Sequence, residues 1–66
     1  MNKKARKRLQ KALNHTNKVL YRLQQLRDMH GIAVDMELSN ASEIQQHLLW
    51  TAEFHGVRID PKGMPR

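Results

Sequence analysis

Nine cations, Lys3, Lys4, Arg6, Lys7, Arg8, Lys11, Lys18, Arg22 and Arg27, fall within the first 27 positions, and no Asp or Glu lies among them. Ammonium and guanidinium groups without local counter-ions are equipped to bind anions, because like charges repel until something neutralises them. The rest of the chain holds Arg58, Lys62 and Arg66 together with all six acids, Asp28, Asp35, Glu37, Glu43, Glu53 and Asp60. The formal charge of +6 therefore divides into +9 over residues 1–27 and −3 over residues 28–66. A surface that only has to stay solvated interleaves both signs. This one reads as a recognition surface for a polyanion, nucleic acid first. Lys3, Lys4, Arg6, Lys7, Arg8, Lys11, Lys18 and Arg22 are assigned to phosphate contact. Gln10, Asn14, His15 and Asn17, which lie between them, are of types that reach base edges.

Other chemistries find less in the sequence. Of the four histidines, His47 and His55 could join Glu43 around a metal, completed by His30 or water. No HExxH spacing supports that, and isolated helical histidines more often serve packing or the surface. No cysteine nucleophile, Gly-rich phosphate loop or carboxylate pair occurs. The expectation is no enzyme, with no catalytic residue, no cofactor and no metal site.

Those cations need a scaffold, and its first element is regular. Ala5, Leu9, Ala12, Thr16, Val19, Leu23, Leu26 and His30 recur at alternating steps of four and three, the rhythm of a helix that packs along another. Leu13 and Leu20 widen the stripe. Gly31 stops it as a left-handed cap, so a long basic helix is expected over about 3–30. A shorter helix over about 41–55 follows. Asn40 and Glu43 supply a capping-box start, Ala41, Ile44, Leu48, Ala52 and His55 mark one face, and Gly56 ends it. The fold class expected is all-α: a helical hairpin completed by dimerisation into a small helical bundle. Residues 1–60 form its single domain and residues 61–66 a flexible C-terminal tail. His30-Gly31-Ile32-Ala33-Val34-Asp35 matches His55-Gly56-Val57-Arg58-Ile59-Asp60 at an offset of 25. Either a duplicated helix–Gly–strand unit or convergence on one capping solution explains the match, and convergence is favoured.

A second helix that short would cover only half of the first and leave residues 3–15 projecting with their apolar seam in water. Exposed seams mark interfaces, so a homodimer is expected through Leu9, Leu13, Leu20 and Leu23. Trp50 and Phe54 read either as core or as a second apolar side that meets a partner. A helix-turn-helix does not fit, since the expected connection is long and only two helices are visible. Ala5, Ala12 and Thr16 suit close helix contact better than lipid insertion, and no apolar run spans a bilayer, so membrane association is not expected. The basic start lacks an apolar h-region, and although it also fits a mitochondrial presequence, its pattern runs unbroken into the fold. A cytoplasmic location is expected. The competing function is a small adaptor or inhibitor whose long helix docks on an acidic surface of a larger protein. Stacking aromatics are nearly absent from the basic half, which leans the nucleic-acid reading toward duplex or structured targets without deciding DNA or RNA.

Overall fold

The computed structural model describes all residues, 1–66, as two antiparallel helices, α1 (Lys3–His30) and α2 (Asp35–Phe54), with no strands. Asn2 caps α1, its side-chain oxygen accepting the Ala5 N–H at 2.8 Å. Gly31, at φ 63°, turns the chain at the other end and donates its N–H to the Arg27 carbonyl at 3.2 Å. The helix thus starts and stops where its apolar rhythm and its glycine place it. α2 closes on Gly56, at φ 64°, with the Val57 N–H on the Ala52 carbonyl at 2.8 Å and the Gly56 N–H on Glu53 at 3.0 Å. That pair of bonds is the Schellman arrangement, in which a left-handed glycine satisfies carbonyls the helix leaves open.

α2 begins at Asp35, well upstream of the start expected near residue 41. The reason lies in Val34 and Leu38. They extend the series Ala41, Gln45, Leu48 and Ala52 backward at helical spacing, and Val34 is buried while Leu38 is half-buried. Full burial of such a side chain contributes roughly 1.5–3 kcal/mol, so buried Val34 and half-buried Leu38 together outweigh the roughly 1 kcal/mol of an Asn40 cap. Asp35 and Glu37 also occupy the first turn, where the helix dipole favours acids. The connection shrinks to residues 31–34, and neither Ile32–Asp35 nor Val57–Asp60 is a strand.

The longer α2 overturns the projecting seam. Leu13 is fully enclosed, at 0% exposure, and Leu9 is buried with it, alongside Val34, Ala41 and Ala52. Leu9 and Leu13 are therefore core residues between α1 and α2, not a surface waiting for a second chain. Leu20 and Leu23 are half-buried, whereas Val19 and Leu26 face outward. The buried face is shifted around α1 from the expected stripe because Asn17, at 6% exposure, sits inside it.

Asn17 is buried because the chain's last segment returns to it. Its side-chain amide donates to the carbonyls of Pro61 (3.0 Å) and Gly63 (2.8 Å), while its oxygen accepts from Gln45 Nε2 at 2.7 Å. Gln10 pairs with the Asp60 backbone in both directions, donating to its carbonyl at 2.9 Å and accepting its N–H at 2.6 Å. Asp60-Pro61-Lys62-Gly63 forms a turn, with the Gly63 N–H on the Asp60 carbonyl at 3.3 Å and the Lys62 N–H on Asp60 Oδ1 at 3.0 Å. Gly63 lies so close to Asn14 and Gln10 that a Cβ there would collide with both side chains. Gly63→Ala should displace residues 60–66 from α1 and lose roughly 1–3 kcal/mol as the amides of Asn17 and Gln10 go unpaired. Faster exchange of the Asp60 amide, with helicity unchanged, would report it. Exchange as slow as in the parent chain would contradict the fit.

Candidate nucleic-acid interface

The surface α1 turns away from α2 is where the cations collect. At about 100° per residue, the buried Leu9, Leu13 and Asn17 fix the inner side, and Lys4, Lys7, Arg8, Lys11, Lys18 and Arg22 all fall within about 60° of the opposite direction. All of these are exposed except Lys18, which is half-buried with its Nζ 5.5 Å from the centre of the Tyr21 ring. From Lys4 to Arg22 the stripe runs roughly 27 Å, the length of about eight phosphates on one strand of a duplex. Lys3 and Arg6 point toward the α1 start, where they line a cleft with His55, Gly56, Val57 and Arg58.

The electrostatics of these groups are unbalanced. The one ion pair in the molecule joins Arg27 to Asp28 at 2.9 Å. That hydrogen bond, and then the Asp28 charge, raise the Arg27 guanidinium above its ordinary pKa. None of Lys3, Lys4, Arg6, Lys7, Arg8, Lys11, Lys18 and Arg22 has an acidic partner. The first turn of α1 contains no acid, and Lys3, Lys4 and Arg6 instead stand at its positive dipole end. Cations there are unfavourable by roughly 0.3–1 kcal/mol each at low salt. An anion that meets this end relieves both the dipole and the mutual repulsion.

Three polar residues expected to reach base edges do something else. Gln10, Asn14 and Asn17 are engaged with one another or with the returning segment 60–63, so they are internal fasteners. Of that group only His15 stays exposed without an internal role. The same returning segment adds cations that spacing along the sequence does not reveal. Arg66 lines a hollow with Lys11, Asn14 and His15, and Arg58 joins Lys3 and Arg6. Nothing local in a segment expected to be a flexible tail says that residues 60–63 turn back onto α1.

The remaining sequence candidates are dispersed. Glu43, His47 and His55 do not converge with His30, and no group of three His, Asp or Glu residues could hold a metal ion. No helix is long and apolar enough to cross a membrane. Trp50 and Phe54 are exposed at 55% and 86%, which removes the core reading of that pair. Compared with known proteins, the chain matches no family model, no curated protein and no solved structure.

Proposed function

We propose that this protein binds nucleic acid through the outer face of α1, in a regulatory or accessory role. The observation that carries the reading is the run of eight cations on α1 without one acidic partner. A helix with a free outer side fits the major groove of a duplex, about 12 Å wide, with cations left over for the flanking phosphates. Because Gln10, Asn14 and Asn17 are occupied by the chain itself, few side chains remain to read bases. Contacts to the backbone then dominate, and binding depends on shape and charge more than on sequence.

Docking of the long helix on an acidic protein has less support. An α-helix laid in a protein groove needs an apolar edge to insert; Leu9 and Leu13 are spent on α2, which leaves α1 the thinner strip of Ala12, Val19 and Leu26. Titration of a labelled DNA duplex, a structured RNA and polyglutamate with the protein at about 50 mM salt separates the two. Micromolar or tighter binding to nucleic acid, with polyglutamate weaker by about tenfold or more, is expected. Binding to polyglutamate alone would overturn the proposal in favour of an acidic protein partner.

A further inference from the structure

α2 is apolar on two sides and the chain covers only one. Val34, Leu38, Ala41, Leu48 and Ala52 lie toward α1, whereas Met36, Trp50 and Phe54 stand exposed on the opposite side. The molecule is also too open for its mass. A folded chain of 7.8 kDa is expected to expose roughly 4,400 Å², yet this one exposes 5325 Å². The excess of about 900 Å² is close to the roughly 800 Å² that each partner contributes to a standard protein interface. Its smallest extent is 13 Å and its radius of gyration 13.1 Å, against roughly 11 Å for a compact domain of this length. One layer of two helices lacks the second layer that domains use to enclose a core.

The exposed side of α2 has a pattern of its own. Met36, Asn40, Glu43, His47, Trp50 and Phe54 follow one another at steps of four, three, four, three and four, a coiled-coil rhythm that reads the same from either end. Two copies laid antiparallel about residue 45 would set Met36 against Phe54, Asn40 against Trp50, and Glu43 against His47. Each pairing is chemically sensible: a thioether on an aromatic ring, an amide oxygen for an indole N–H, and a carboxylate for an imidazole N–H. The other open apolar strip, Ala12, Val19 and Leu26 on α1, would press two strongly basic helices together. Contact through α2 keeps them apart.

We propose that the outer face of α2 docks a second copy of this chain antiparallel, in an isologous interface with Trp50 and Phe54 near its two ends. The two α1 helices then lie on the outside with their basic faces free. This goes beyond the nucleic-acid reading and does not depend on it.

Sedimentation equilibrium of the full chain without nucleic acid, at about 50 μM in moderate salt, tests the proposal. The expected mass is twice the 7.8 kDa of one chain. Phe54→Glu should weaken association by about tenfold or more, with helicity retained because Phe54 is so exposed. His47→Glu should also dissociate the pair by opposing Glu43, and adding Glu43→Lys should restore it only if the helices run antiparallel. A single-chain mass for the parent protein would overturn the proposal. So would a dimer indifferent to Phe54→Glu, or a double variant that stays dissociated.

Discussion

Leu13→Ala should lower the thermal midpoint of the chain by at least about 10 °C. Leu13 is the one large side chain that is fully enclosed, so truncating it leaves a cavity inside the core rather than a notch in the surface. Such truncations cost about 2–5 kcal/mol. A chain of 66 residues has roughly 3–10 kcal/mol of stability in total, and each kcal/mol moves the midpoint of so small a domain by about 4–8 °C. Circular dichroism during heating measures the shift. Val19→Ala on the exposed side provides the control and should move the midpoint by no more than about 3 °C. Equal shifts for the two substitutions would contradict the packing of α1 on α2.

Replacing Lys4, Lys11 and Lys18 together with Gln should weaken nucleic-acid binding by roughly 10²–10³ at low salt and reduce the salt slope by about 2–3 units. The three recur every seven residues on the outer side of α1, and none has an acidic partner. Glutamine preserves helix propensity and side-chain length. Stability should hold or rise slightly, because repulsion along the helix is relieved. The same change at Lys62, outside α1, is expected to remove about one unit of slope or less. Anisotropy titrations on a labelled duplex report both quantities. An unchanged slope in the triple variant would mean that the cations of α1 do not touch phosphate.

How far the sequence alone could be read depends on the range of the interactions that decide each feature. The bounds of α1 were legible because a local rhythm and a local glycine determine them. Gly31 and Gly56 were legible as helix ends for the same reason, and both have positive φ. The start of α2 was not. There a local capping signal at Asn40 competed with burial of Val34 and Leu38 against residues far away in the chain, and burial won. Asn17 misled twice over. A polar residue near the apolar stripe reads as surface, yet it is the buried hub that ties segment 60–63 and Gln45 to α1. Side-chain amides carry no address, so neither spacing nor composition could name the Pro61 and Gly63 carbonyls as their partners. The cations of α1 were legible as a set because charge needs no partner to be counted. Their sorting into a continuous outer stripe and a separate cluster with Arg58 required knowledge of which side α2 covers.

Recognition of phosphate by the unpaired cations of α1 is the central claim. The salt dependence of binding between the unmodified protein and a labelled duplex, followed by anisotropy from about 50 to 200 mM, tests it most directly. Six phosphate contacts predict a log–log slope near −5 and a loss of affinity of about a thousandfold across that range. Absence of binding at the lower salt, or affinity that changes by less than about tenfold, would contradict the claim.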